Sequence, residues 1–280
     1  MNKRPEILVA GGGAAGMMAA LFAARAGASV TLLERNEKLG KKIYITGKGR
    51  CNLTNDCSLE EFLRQVPRNP RFLYGALNRF GPQDMMALME EAGCPVEVQR
   101  GQRVFPRSEK ASDVIRALAR LMEQAGVRVR LHSRIQSLIV QEGRAAGVML
   151  ESGERLEADA VILALGGQSY PMTGSTGDGY ALAREAGHHV LPPEAVLSAL
   201  ETVEDWPRAL QGLALKNVRL TLRSGRKTLY TELGEMLFTH FGISGPLTLS
   251  ASSYIREMEK HRWTAEIDLK PALDEDQLYA

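Results

Sequence analysis

Apolar runs and the turn residues between them divide the chain into short segments of two kinds. Ile7, Leu8 and Val9 make an unbroken apolar run within Glu6–Ala10, which predicts a strand covered on both faces. Ala14–Ala26, rich in Ala, Met and Leu, predicts a helix, and Ser29–Leu33 predicts a second buried strand. A basic, glycine-rich connection follows, from Leu39 to Asn55. Three helices come next, marked by their start and stop signals. Ser58 and Glu61 fit a capping box, Asn69-Pro70 fits a cap with a first-turn proline, and a third helix starts near Pro82 and stops before Gly93. A strand pair is predicted around Val96 and Val104. Helical spacing over Ser112–Ala125 puts Val114, Ile115, Leu118, Leu121 and Met122 on one face, and Gly126 ends that helix.

Val127–Leu131 predicts a third strand. Ile135–Gln141, Ala145–Leu150 and Arg155–Leu156 predict a meander with turns at Glu142-Gly143 and Ser152-Gly153. It leads into Ala160–Leu165, an apolar run ending at Gly166-Gly167, expected to be a central parallel strand whose carboxyl end touches a ligand. Composition shifts after Pro192-Pro193. Beyond it Val218–Arg223, Thr228–Leu233 and Trp263–Leu269 predict strands, with a short helix at Gly245–Ser253. The pattern is α/β, with a dinucleotide-binding domain over residues 1–192 and a β-rich second domain over residues 193–280.

Composition narrows the function classes. The 280 residues are 44% apolar and 24% charged with a net charge of +2, and the basic residues are dispersed. That balance carries no electrostatic footprint for a nucleic-acid partner, and none is expected. Three cysteines (Cys51, Cys57, Cys94) are too few for a disulfide scaffold and point to a reducing compartment. Lys3 and Arg4 ahead of an apolar stretch mimic a secretory leader, but Pro5 and Glu6 interrupt the transition, and cleavage would remove the glycine-rich turn described next. A cytoplasmic location is expected. No apolar run reaches the ~18 residues of a membrane-spanning helix, so no membrane partner is expected.

Gly11, Gly13 and Gly16 form G-x-G-x-x-G between the first strand and the first helix, and Glu34 closes the next strand, near the ~20-residue spacing of a ribose-binding acid. Gly11 permits the tight turn, Gly13 lets a pyrophosphate approach the backbone, and Gly16 lets helix and strand pack closely. The carboxylate at Glu34 suits both hydroxyls of an adenosine ribose and repels a 2′-phosphate, so the nucleotide is FAD or NAD rather than NADP.

Four further stretches carry candidate chemistry. Thr46 to Asn55 lies where ligands collect in a doubly wound fold; Gly47 and Gly49 free its backbone, and Lys42, Lys48 and Arg50 offset pyrophosphate charge, the alternative being a solvated basic loop. It is not a Walker loop, because Gly49 follows Lys48. Cys51, among Lys48 and Arg50, and Cys57 suggest thiolate chemistry, against the alternative of packed cysteines. Gly174 to Gly179 precedes a helix predicted over Tyr180–Ala186; that helix start offers amides to an anion or flavin edge, and Asp178 either caps it or bonds a ligand hydroxyl, the alternative being only a turn. In Phe238 to Pro246, Ser244 is the expected cap, and His240 is either an acid or substrate contact, or a core or capping histidine. His132, His188, His189 and His261 show no metal-ligand spacing, and no metal is expected.

Four motifs occur in order: the glycine fingerprint, R-C-N-x-T-N (Arg50–Asn55), G-G-x-S-Y-P-x-T-G-S-T-G-D-G-Y (Gly166–Tyr180) and L-F-T-H-x-G-x-S-G-P (Leu237–Pro246). Together they resemble the bacterial NAD(P)/FAD-dependent oxidoreductase family, aminoacetone-oxidase-like, which includes a bile-acid dienone reductase. The T-G-D-G-Y run is also similar to a loop of fumarate-reductase and aspartate-oxidase flavoproteins. The resemblance implies a Rossmann-type FAD-binding domain of glutathione-reductase type, interrupted by a β-rich domain and a small helical one. It implies that Gly11, Gly13, Ala15 and Gly16 hold the FAD pyrophosphate and Glu34 the adenosine ribose, with Arg35 among the cofactor contacts. Lys42 and Thr46, Gly47, Gly49, Arg50, Cys51 and Asn52 would line the pyrophosphate and flavin, and Ile135 would touch adenine through its backbone. Ala164, Gly166 and Gly167 would run along the cofactor, and Thr176, Gly177 and Asp178 would approach the flavin side. Members of that family continue well beyond this point and return to the FAD domain, so a chain ending at Ala280 is expected to be a fragment.

The expected activity is hydride transfer between FAD and a small organic substrate bound between the domains near His240 and Cys51. With no second glycine fingerprint, NAD(P)H would visit the flavin transiently. The alternatives are a flavin- or nucleotide-binding protein without turnover, and a thiol-flavin reductase using Cys51 and Cys57. Substrate identity and oligomeric state stay open.

Overall fold

A computed structural model describes residues 4–279 as two compact units that divide between Leu191 and Pro192. The first unit is built on a parallel sheet of four strands. β1 (Glu6–Ala10) and β2 (Ser29–Leu33), joined by helix α1 (Ala14–Arg25), coincide with the two apolar runs at the start of the chain. The chain then makes irregular helical turns over Ile43–Gly49 and a two-residue strand β3 (Thr54–Asn55). Helices α2 (Leu59–Arg64), α3 (Pro70–Arg79) and α4 (Pro82–Glu91) follow. Strands β4 (Val96–Gln99) and β5 (Arg103–Pro106) pair with β3 in a small antiparallel sheet. Helix α5 (Ala111–Gln124) returns to the main sheet at β6 (Arg128–Arg130). The meander β7 (Ile135–Gln141), β8 (Arg144–Leu150) and β9 (Arg155–Glu157) then delivers the chain to β10 (Ala160–Leu163), and helix α6 spans Asp178–Glu185.

Strand order in the main sheet is β10-β1-β2-β6 with every pair parallel. Alternate side chains of β1 and β2 serve two cores. Val9, Val30 and Leu32 pack on Met17 and Leu21 of α1 and on Val114, Leu118 and Leu121 of α5. Leu8, Ala10 and Leu33 pack on the other face with Val148 and Leu150 of the meander and Leu182 of α6. Both faces are covered, which is why these strands are continuous apolar runs. This is the Rossmann-type α/β arrangement with its ligand edge at the carboxyl ends of the strands. One expectation is corrected: β10 lies at an edge of this sheet, not at its centre, and Val161, Ile162 and Leu163 are only half-buried. An apolar run reports covered faces and says nothing about which edge is paired.

The second unit is an antiparallel sheet, β11 (Leu200–Glu201), β14 (Gly242–Ser244), β13 (Lys227–Thr239), β12 (Ala214–Ser224) and β15 (Trp263–Asp268), in that spatial order. Helices α7 (Trp206–Ala209), α8 (Pro246–Ser252) and α9 (Glu275–Tyr279) accompany it. Val218, Leu220 and Leu222 alternate inward along β12 and meet Met236, Phe238, Ile243, Leu247 and Ala251. Trp206 stacks edge-on against Phe238, with 5.6 Å between ring centres. The cap of α8 is Gly245, at φ +92°, and not Ser244; a Cβ on Gly245 would lie 2.9 Å from the Met236 Cα, so the turn accepts only glycine there.

Candidate functional site

The glycine turn shows a separate physical demand at each position. Gly11 has φ +105°, and a Cβ on it would lie 2.4 Å from the Ala164 carbonyl oxygen at the end of β10. A Cβ on Gly16 would lie 1.7 Å from the carbonyl oxygen of Gly11, so α1 sits directly on the turn. Gly13 differs: its backbone is extended, and a Cβ there would meet nothing within 4 Å. The first helical hydrogen bond of α1 runs from the Met17 amide to the Gly13 carbonyl (2.9 Å), and no side chain caps the helix. The amides of Ala14, Ala15 and Gly16 are therefore left without a helical acceptor, at the positive end of the helix dipole.

Glu34 follows β2 and is 7% exposed. Its Oε2 accepts the Gly12 amide at 2.7 Å; its Oε1 accepts the Asn36 amide at 2.8 Å and the Asn36 carboxamide Nδ2 at 2.7 Å. Among the described residues no lysine or arginine pairs with it, so three N–H donors alone stabilise this buried charge. A carboxylate offers about four acceptor sites, which leaves Oε2 the less occupied oxygen.

The Gly174–Asp178 loop lies against the residues that follow this acid. Arg35 Nη1 donates to Thr176 Oγ1 (3.0 Å) and to Asp178 Oδ2 (3.3 Å), and Asn36 Nδ2 also donates to the Thr173 carbonyl (3.3 Å). Arg134 reaches the same Asp178 oxygen at 3.3 Å. The Thr176 hydroxyl, first, and then Arg134 and Arg35 hold the Asp178 carboxyl below the usual carboxylate range. Thr176 and Asp178, expected toward the flavin, are engaged with Arg35 beside Glu34, and Gly177 caps α6 at φ +85°. Ile135 is buried at the start of β7, and Gly166, at φ +78°, and Gly167 follow β10 with Ala164 hydrogen-bonded to Ala10 (2.8 Å).

Residues 42–52 are more committed to the protein than their basic composition suggests. Arg50 turns to Glu109 (2.9 Å) and Gln99 (3.1 Å) and lies over the Phe105 ring, 4.3 Å from its centre. Lys42 Nζ donates to Ser169 Oγ at 3.2 Å, and burial pulls its pKa down. Lys48 is exposed in a left-handed conformation, and Gly47 and Gly49 also have positive φ. Thr46 bonds the Ile43 carbonyl (2.7 Å). Cys51, Asn52 and Thr46 line a cavity of about 500 Å³ with Ala14, Ala15, Met18 and Met85.

The thiolate expectation is corrected here. Cys51 is buried, and burial pushes its thiol up, with only partial relief from a hydrogen bond with Thr46. Burial, then Glu61 and Asp56, push the Cys57 thiol up as well. The neighbouring arginine that was to lower Cys51 is spent on Glu109. His240 is neither core nor cap. It is exposed on the turn between β13 and β14, edge-on to Phe241 with ring centres 4.9 Å apart. Sequence reasoning missed Asn36 altogether; its only advance signal is an amide side chain two positions beyond the acid.

Comparison with known proteins agrees with this architecture. The chain is 33% identical over 98% of its length to a 3-dehydro-bile acid delta(4,6)-reductase of Clostridium scindens and covers 66% of that protein. It is 32% and 31% identical to ribosomal RNA dihydrouridine synthases of Haemophilus influenzae and Escherichia coli, covering 66% and 68% of them. The chain thus spans about two thirds of the length of these relatives. Two of these relatives are named for an RNA. Among solved structures it resembles the open conformation of a flavocytochrome c3 fumarate reductase, at a TM-score of 0.56 and 21% identity over 77% of this chain and 47% of that one. It also resembles a 3-ketosteroid-delta4-(5alpha)-dehydrogenase from Rhodococcus jostii, at a TM-score of 0.51 and 17% identity, covering 77% and 60% of the two chains. The model of the HI0933-like protein Rossmann domain matches residues 5–251, and with the parallel sheet, the glycine turn and Glu34 in place this chain belongs to that family of Rossmann-type FAD-binding folds.

Proposed function

We propose that the amino-terminal turn holds the ADP half of FAD and that the protein is an FAD-dependent oxidoreductase acting on a small organic substrate, with NAD(P)H as reductant. One observation carries this reading: the uncapped start of α1, open at Gly13, directly follows Gly12, whose amide bonds a buried carboxylate, Glu34 Oε2, at 2.7 Å. A diphosphate needs the amides, a ribose needs the acid, and Gly12 ties the two together. The amides of Ala14, Ala15 and Gly16 bind the pyrophosphate, and Lys42 offsets part of its charge. Glu34 orients the ribose by one hydroxyl, and the Ile135 backbone faces the adenine. Ala164, Gly166 and Gly167 flank the cofactor, and Thr46, Gly47, Gly49 and Asn52 border its flavin end. When bound, the flavin supplies hydride chemistry; the protein supplies position and electrostatics. Burial pushes the Cys51 thiol up, which disfavours a thiolate step there. The reductive direction follows the relatives named as a bile-acid reductase and dihydrouridine synthases.

Titration with FAD, followed by an absorbance spectrum before and after anaerobic NADH or NADPH, tests this. The expected result is a bound flavin spectrum that bleaches with one of the two and recovers on adding an acceptor. Absence of flavin uptake would overturn the reading. Uptake without bleaching by either nucleotide would reduce it to binding without turnover.

A further inference from the structure

The carboxamide of Asn36 sits at a junction of three segments. Nδ2 donates to Glu34 Oε1 (2.7 Å) and to the Thr173 carbonyl (3.3 Å), while Oδ1 accepts from Lys41 Nζ (3.3 Å). Two acceptors on the nitrogen side and a cation on the oxygen side fix which way the amide points. Gly174 is matched to it: a Cβ there would lie 2.6 Å from Nδ2. The Asn36 backbone is held as well, its amide on Glu34 Oε1 (2.8 Å) and its carbonyl accepting from the His132 amide (3.2 Å).

Glu34 has a long side chain that must be ionised and correctly turned before a ribose arrives. We propose that Asn36 is a positioning residue for the adenosine ribose: it saturates Oε1 of Glu34 and so presents Oε2, the oxygen nearest the glycine turn, to a ribose hydroxyl. The inference rests on the FAD reading and adds a residue outside the glycine fingerprint. Its physical content is preorganisation. A carboxylate already held by fixed donors loses little rotamer freedom when it binds. Through Thr173 the same amide ties the Gly174–Asp178 loop to the ribose acid.

Binding of FAD and of ADP to the whole chain, by calorimetric titration, tests this in a double-mutant cycle of Asn36→Ala and Glu34→Ala. Asn36→Ala is expected to weaken ADP and FAD about tenfold in the native background, the scale of one charge-assisted hydrogen bond. In the Glu34→Ala background it is expected to cost less than about twofold, because nothing remains for it to orient. A structural role alone would cost the same in both backgrounds and would overturn the proposal. So would an affinity that rises in Asn36→Ala, since the amide would then compete with the ribose. Should Asn36→Ala fail to fold, Asn36→Asp keeps the shape and removes the donor, and it is expected to lose at least as much. Failure of the native chain to bind either nucleotide would overturn the FAD reading itself, a result distinct from native binding with an unaffected variant.

Discussion

Gly13 and Gly16 lie one helical turn apart and answer opposite demands. At Gly16 a methyl group would penetrate the Gly11 carbonyl, so Gly16→Ala is expected to destabilise the fold by about 1–3 kcal/mol or more, read as a lower urea midpoint. At Gly13 the backbone is extended and the space is open, so Gly13→Ala should keep that midpoint and lose ADP affinity by roughly tenfold or more. Equal loss of stability in both variants would show that the Gly13 space serves folding rather than binding. Asp178 gives a prediction in pH. Its folded pKa is lowered, chiefly by the Thr176 hydroxyl, so its contribution is present above the unfolded value of about 3.9 and lost as pH falls through the lower folded value. Asp178→Asn is therefore expected to be less stable than the native chain at neutral pH, the gap closing as pH falls below about 4. A gap that widens with acid contradicts this assignment.

Elements were legible where local chemistry decides them. Ser58 caps α2 with both bonds of the box in place, Glu61 amide to Ser58 Oγ at 3.2 Å and Ser58 amide to Glu61 Oε2 at 2.9 Å. Since α2 buries no residue, Ser58→Ala should cost about 1 kcal/mol locally, seen as faster hydrogen exchange over Leu59–Arg64 with the global midpoint unchanged. The two apolar strands, the first helix and the meander were equally readable, because their periodicity is set by what covers each face. Asn69 shows the limit: it precedes α3 as expected, yet sits at φ +50° and bonds no helix amide. Pairing and orientation across long separations were not readable. That Arg50 meets Glu109, that β10 occupies an edge, and that the three-residue β14 forms beside β13 depend on partners far along the chain or on too few residues for a pattern. The site divides the same way. The glycine turn and the acid after the second strand were legible, whereas the fates of Arg50, Cys51 and Asp178 depended on tertiary neighbours.

The whole molecule places the glycine turn, Glu34 and the 500 Å³ cavity in one compact unit ending at Leu191. Binding that favours the folded state stabilises it by about 2.7 kcal/mol at a free ligand concentration of 100 times Kd. Saturating FAD is thus expected to slow hydrogen exchange in β1 and β2 about a hundredfold, and unchanged exchange on addition of FAD would speak against the site. Among the described residues no helix is long and apolar enough to cross a membrane. The bond between the Gly12 amide and Glu34 bears on any attempt to redesign cofactor preference. Swapping this acid for a neutral or cationic side chain, the usual first move toward a phosphorylated ribose, also removes the acceptor of the Gly12 amide in the glycine turn. A successful switch here must therefore supply a new anchor for that turn along with the new charge.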